Sequence, residues 1–430
     1  MENLGKHLQG GLAFTENDVA SHATDIFRPI AQEVSMVDST LIFVKIDAPG
    51  GRGPYNFQIT PKGDQYIQMN QMRLWIQGSI LLVDGTKAVA ADGIGVINLM
   101  ANSLFKTMEL EVGGKLIPDL QSTHANFKAY LETLLSYGEE ARGSHLQASG
   151  FSLDAPKAYD DVKHGTTTKE APNANTANTG LIARRGLVAA SRTFDFMIPL
   201  HYDFFNCDRL LPPGIEMTLK LTREDDNFVL LNKDDAKKYE IILSKLILCV
   251  PYITIAPDIV AQHKIWIKSG PIVLPIKKTE VTVFHRPAGI VNLSLSSLLM
   301  NRVPKTLIIG MVATPSYNGS QTTNPYRFQH FDVNHVCIKH NGASIPSEPY
   351  MPDWTNKLYM REYRAFFDNT GVGTDNLGSA ITPEQYADGS TLFAFDLTPD
   401  KCNGFHWHKR AEGKMVLSSN NHFHNFDSYF

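Results

Sequence analysis

An all-β chain built as two consecutive eight-stranded jelly-roll domains is predicted by three observations: apolar residues alternate with polar ones over many segments, helical spacing is rare, and three sequence blocks recur in the same order in both halves. A length of 430 residues exceeds what one ordinary core fills and suits two domains of about 200 residues each. The expected division is an N-terminal arm over 1–36, a first jelly roll over 37–255, a linker helix over 256–270 and a second jelly roll over 271–430.

The alternation is clearest at Ile215, Met217, Leu219 and Leu221, where the intervening Glu216, Thr218, Lys220 and Thr222 face the other way, as a strand resting on a single core requires. Met108, Leu110 and Val112 repeat the pattern, as do Val291, Leu293 and Leu295. Strands are also expected over 41–46, 67–83, 194–198, 239–252, 272–284, 306–314, 331–339 and 392–397. Three helices stand out. One follows Ser122 or Thr123 as N-cap, carries Phe127, Tyr130, Leu131 and Leu134 on one face and ends at Gly138. A second spans about 356–367, and a third begins at Pro257, a residue suited to a first helical turn, and runs to Trp266. Within the first jelly roll, residues 139–192 include a Thr/Asn/Ala/Gly-rich stretch, HGTTTKEAPNANTANTG, and read as a long exposed loop.

The repeat explains the length. Phe105 to Ile117-Pro118 reads strand, glycine turn, Ile-Pro, helix; Phe331 to Ile345-Pro346 reads the same way. Thr193 to Pro199 matches Leu392 to Pro399, and the block from Gly214 through Met217 matches that from Gly413 through Met415. Three matched blocks in one order argue for one β fold made twice. A parallel α/β sheet is excluded, because it needs a helix after nearly every strand.

Forty basic against forty-four acidic residues, with no run of like charge, exclude a basic arm that would neutralise phosphates, so no sequence-specific nucleic acid partner is expected. The four cysteines, Cys207, Cys249, Cys337 and Cys402, form no CxxC pair and are expected as reduced thiols. The N-terminus has no continuous apolar stretch, and the most apolar segment, around 240–256, is interrupted by Lys245 and Pro251, so neither a secretion signal nor a membrane span is expected.

The run NSLFKTMELEVGGKLIPDLQSTHANFKAYLETLLSYGEEA resembles the strand, turn and helix block of the major capsid proteins of Polinton (Maverick) elements and adintoviruses, a family that includes related uncharacterised proteins of animal genomes. NPYRFQHFDVNHVCIKHNG and FAFDLTPDKC resemble parts of that family's second half, and the likeness extends over roughly 35–425. It implies a structural hexon-like capsid protein, not an enzyme, whose homotrimer presents six similar barrels as a pseudo-hexameric tile of an icosahedral shell. Its implied partners are itself, neighbouring trimers and penton or minor capsid proteins, and its implied place is the virion, assembled inside the host cell. The family brings no catalytic, cofactor or metal residues. One departure is visible: after Gly214 the first half continues through another strong strand, whereas after Gly413 only 17 residues follow, so the second jelly roll is expected to lack its last strand or strands.

Other chemistry is weighed residue by residue. His406, His408 and Glu412 match the HxHxxxE core of a metal-dependent cupin-like enzyme, itself a jelly roll, although no distal histidine motif follows. This is the alternative reading, together with a host-domesticated binding module; a solvated loop is the simpler account of these residues. His422 and His424 read as exposed tail residues, and His330, His335 and His340 as surface or interface residues. Gly50, Gly51 and Gly53, and Gly113 with Gly114, read as turns and not as phosphate cradles. Arg184 and Arg185 are expected to be solvated in the polar loop. Tyr359, Tyr363, Phe366 and Phe367 are expected to pack against the sheet with Arg361 and Arg364 exposed.

Overall fold

The computed structural model describes residues 32–47, 49–89, 92–117, 122–160, 178–232, 237–290, 292–295, 303–373, 378–398, 415–421 and 428–429. In the first half the strands are β1 (Met36–Lys45), β2 (Tyr55–Ile59), β3 (Tyr66–Ile67), β4 (Arg73–Leu82), β5 (Gly95–Val96), β6 (Phe105–Val112), β7 (Lys115–Leu116), β8 (Phe194–Pro199), β9 (Met217–Arg223), β10 (Leu230–Leu231) and β11 (Tyr239–Ile255). Two antiparallel sheets form, in the orders β1-β11-β4-β8 and β2-β9-β6-β7, so consecutive strands cross between sheets as a jelly roll demands. The alternation sets the facing. Met217, Leu219 and Leu221 of β9 are buried, and Leu74, Ile76 and Ile80 of β4 meet them across one core. β11 lies between β1 and β4, and Leu246 through Ile253 are buried, the helix Pro257–Ser269 packing Ile259 and Val260 against Ile253 and Ile255 at its end. Pro257 occupies the first helical turn, as expected.

The second half repeats this order: β12 (His285–Arg286), β13 (Asn292–Leu295), β14 (Thr306–Gly310), β15 (Val312–Ala313), β16 (Val333–His340), β17 (Ala343–Tyr350), β18 (Leu392–Asp396), β19 (Met415–Asn421) and β20 (Ser428–Tyr429). One sheet runs β13-β19-β16-β17, strand for strand the equivalent of β2-β9-β6-β7. In the other, β14 pairs β18, and β15, directly following in the chain, joins β12-β20-β15. The strand expected to be missing is therefore present as β20, two residues long where its counterpart β11 has 17. The turn after β6 places Gly113 and Gly114 at φ +58° and +75°; after β16, Asn341 and Gly342 take +50° and +89°. Both φ values of such a two-residue hairpin loop lie in the left-handed region, where glycine and asparagine are favoured.

Several expectations are corrected. Residues 271–284 form no ladder: Leu274 and Ile276, two apart, and Val281 rest on the first half's core, but the backbone is held piecemeal, with Thr279 N donating to Asp203 Oδ2 at 2.9 Å and Arg209 Nη1 to Val273 O at 2.7 Å. A strap can show a two-residue period without any strand beside it. The first helix spans Ala125–Ser136 with His124 as N-cap and no side-chain cap, so neither Ser122 nor Thr123 plays that part, and Tyr137 already leaves the helix before Gly138. The second spans Met360–Thr370 and closes on Gly371 at φ +81°. The stretch 139–192 is not an exposed loop through its described length: helices form at Glu139–Arg142 and Thr179–Val188, and Phe151, Tyr159 and Leu181 are fully buried. Residues 161–177, which hold most of its polar run, lie outside the described residues, as do residues 1–31 of the expected arm.

Gly78 sits inside β4, where a Cβ would come within 2.5 Å of Ile242 O and 2.7 Å of the Phe194 ring, next to the register shift at Leu243 and Lys245 of β11. Gly78→Ala is expected to cost about 1 to 3 kcal/mol through backbone displacement at this crossing. Urea unfolding of the variant checks it; an unchanged midpoint would mean that β11 yields freely there.

Candidate functional site

The strongest concentration of buried polar and aromatic groups lies where the two halves meet. It begins with the helix Ala125–Ser136, whose first six residues are all buried. A helix resting on one sheet needs a single apolar face; this one is enclosed because residues 314–328 of the second half cover its other side. Tyr326 stacks on Tyr130 with centroids 4.1 Å apart and planes 4° off parallel, and it meets Phe127 edge-on at 5.6 Å. Tyr317 stacks on Phe127 at 5.7 Å and bonds His124 Nε2 at 2.9 Å. The Tyr326 hydroxyl shares a 2.6 Å hydrogen bond with Ser103 Oγ, and burial pushes its phenol far above the ordinary range, so it stays neutral. Tyr326, Phe328, Tyr386, Leu392 and Ala394 thereby belong to the same continuous apolar core as the first half's sheets.

Around these rings runs a polar network anchored on Asp154, which is fully buried with Arg184. Arg184 Nη2 donates to Asp154 Oδ1 at 2.6 Å, its Nε to Val96 O at 2.9 Å and its Nη1 to Ser152 O. Asn178, the N-cap of the helix Thr179–Val188, donates to Asp154 Oδ1 at 2.8 Å and to Ala158 O at 3.0 Å, while its Oδ1 accepts from Leu181 N. Asn324 of the second half completes the set, donating to Asp154 Oδ2 at 3.1 Å. A buried carboxylate with this many donors meets the condition under which burying a charge is tolerable. Nearer the surface, Arg327 reaches Asp160 at 2.6 Å and Asp388 at 2.9 Å. Burial opposes its charge, but the two carboxylates prevail and hold the guanidinium above its usual value. Gly389, at φ +112°, lets the chain pass against Tyr159, where a Cβ would lie 2.0 Å from the ring.

The other expected residues are placed as follows. Arg184 and Arg185 are buried, not solvated, because the segment holding them folds back into the junction. His406, His408, Glu412, His422 and His424 lie outside the described residues. His330 stacks on Trp354 at 4.5 Å before β16 begins, and burial lowers its pKa against the pull of Asp332; His335 and His340 lie on β16 itself. Among the described residues no three His, Cys, Asp or Glu side chains gather as metal ligands, and Cys207, Cys249 and Cys337 are buried thiols. No described helix is long and apolar enough to cross a membrane. Phe366 is buried and Tyr363 and Phe367 are half-buried against the core, with Arg361 and Arg364 outward, as expected of that helix. The second half's interior holds an apolar cavity of about 10 Å³ lined by Ile309, Val336, Phe393 and Leu417, room for about one water at most. Asp154 and Asn324 were missed by sequence reasoning; the available signal was the Asn-Pro-Tyr turn, in which Tyr326 N donates to Asn324 Oδ1 at 3.0 Å.

Comparison with known proteins gives the same architecture. No family model matches the chain. An uncharacterised protein of Caenorhabditis elegans is 23% identical over 364 residues, 81% of this chain and 80% of its own. PBCV-1 VP54, in a crystal structure fitted into a cryo-EM reconstruction of the virophage Sputnik, superposes with TM-score 0.53 over 94% of both chains at 12% identity. The Faustovirus major capsid protein gives 0.53 over 94% of this chain and 91% of its own at 10% identity. The Sputnik virophage cryo-EM structure gives 0.51 over 98% and 90% at 9% identity. These likenesses cover both halves together, and the shared fold is the double jelly roll.

Asp154→Ala is expected to cost about 3 to 5 kcal/mol, since it strands the Arg184 guanidinium in the interior, whereas Asp154→Leu combined with Arg184→Met is expected to recover much of that loss. Denaturant titrations of the single and double variants measure both; a single variant within 1 kcal/mol of the parent would contradict the account.

Proposed function

We propose that the chain is the major structural subunit of an icosahedral virus-type shell, acting as a homotrimer with a pseudo-hexameric outline. The observation that carries this is the junction itself: two barrels of one topology are fixed side by side by a continuous buried core, from Tyr326 on Tyr130 to Asn324 on Asp154. Three copies of a rigid pair present six similar barrels, and a head-to-tail contact repeated three times closes into a ring. The double jelly roll shared with the Faustovirus major capsid protein over 94% of the chain supports the same reading.

The resemblance of the sequence blocks around 102–141 and 324–342 to those of Polinton and adintovirus capsid proteins supports an origin in that family. In this reading residues 37–255 and 271–430 are the two barrel domains, 256–270 the helix joining them, and 1–36 an arm toward neighbouring subunits. Further partners are adjacent trimers and penton or minor capsid proteins, and the destination is the virion. The chemistry expected of the chain is association, not catalysis.

Light scattering coupled to size-exclusion chromatography is expected to give three times the chain's mass, and negative-stain images a hexagonal outline. A monodisperse monomer at micromolar concentration, unchanged across salt conditions, would overturn the proposal.

A further inference from the structure

The helices Ala125–Ser136 and Met360–Thr370 occupy equivalent places in the two barrels, each following the hairpin β6-β7 or β16-β17. Their surroundings differ. The first is enclosed, its outer side covered by residues 314–328, which follow β15 in the adjoining barrel. The second is covered on one side only: Glu362 and Phe366 are buried, while Met360, Arg361, Arg364 and Asp368 form an exposed stripe at helical spacing. Beside that stripe, Met351 is 64% exposed and Leu358 67%, and Met360 itself is 52% exposed. Three large apolar side chains so close in the chain, with Asp353 N bonded to Leu358 O at 3.0 Å, make a patch and not scattered exposure.

The segment of the first barrel equivalent to 314–328 is the one that follows β4. It projects Val83, 60% exposed, and Val89, 57% exposed, with Asp84 between them. Asp84 accepts from Thr86 N at 2.9 Å and Thr86 Oγ1 at 2.6 Å, which fixes the loop tip. Within one chain, then, a loop of this kind from barrel two covers the helix of barrel one. The helix of barrel two has the matching exposed patch, and the loop of barrel one has matching exposed side chains.

We infer that the Met351, Leu358 and Met360 patch, with the outer face of the helix Met360–Thr370, docks the loop 83–89 of a second copy of this chain, reproducing between copies the contact made within each. The inference rests on the trimer reading and names its interface. Apolar side chains meet at the centre, and Asp84 comes toward Arg361 and Arg364, an arrangement that favours one register. The two surfaces are different, so the contact is heterologous and three of them close a ring.

The test uses two surface variants of the full chain, Leu358→Asp with Met360→Asp, and Val83→Asp with Val89→Asp, read by native mass spectrometry at micromolar concentration, with circular dichroism to confirm folding. Each variant alone is expected to be monomeric while the parent is trimeric. Mixed in equal amounts they are expected to give a dimer containing one of each and no trimer, since only one intact pair of surfaces remains. A trimeric parent whose variants also stay trimeric would overturn this interface and leave the trimer reading standing, and so would monomeric variants that form no mixed dimer. A monomeric parent would overturn both.

Discussion

Everything in this molecule depends on the burial of Tyr326 between two barrels. A tyrosine ring stacked 4.1 Å from Tyr130, with its hydroxyl tied to Ser103, cannot be exposed without opening an aromatic cluster and leaving polar groups stranded. Because that cluster is continuous with the first barrel's core, separating the halves would expose interior and not a wet interface. Many two-domain chains meet through modest, polar surfaces and move against each other by default. Here the junction has the composition of a core.

The polar network adds direction to that adhesion. Apolar burial alone tolerates sliding, whereas Asp154 receives donors from Arg184, Asn178 and Asn324 in fixed directions. Two of those donors come from the segment that returns through 178–188 and one from the second half. The second barrel is thus tied in one direction to a buried charge of the first, through the Asn324 amide on Asp154 Oδ2. In the proposed trimer, whose six barrels would have to fit their neighbours, a defined angle within each chain matters more than the net energy of the pair.

The two barrels are not equally self-sufficient. In the first, β11 spans 17 residues at the centre of its sheet, between β1 and β4, and is buried on both faces through its middle. In the second, the equivalent strand is β20 with two residues, the strand beside it is split into β14 and β15, and the separate core around Ile338, Phe393 and Leu417 is small. A small core buries too little to hold a fold firmly by itself. The second barrel consequently draws on the shared cluster, contributing Tyr326, Phe328, Tyr386 and Leu392 to it. The same asymmetry leaves the helix Met360–Thr370 half-covered where its counterpart is enclosed.

The amino-acid order by itself determined the parts that follow from period and local chemistry: the alternating strands β4, β6, β8 and β9, the glycine hairpins, the proline that opens the helix at 257, and the duplication that makes two like barrels. These need only the pleat of a strand and the φ preferences of glycine and proline, which neighbouring residues specify. Tertiary structure alone decided what the alternation could not say: that 271–284 would lie as a strap with no strand to pair, that Arg184 would be drawn inside, and that Asp154 and Asn324 would meet. Arg184 in a glycine-rich, polar neighbourhood reads as solvated because a chain of residues carries no record of what folds over it. Its partner Asp154 is 30 residues away, so their pair exists only once the first barrel has folded, and Asn324 lies 170 from Asp154, so that contact exists only once the two barrels have met.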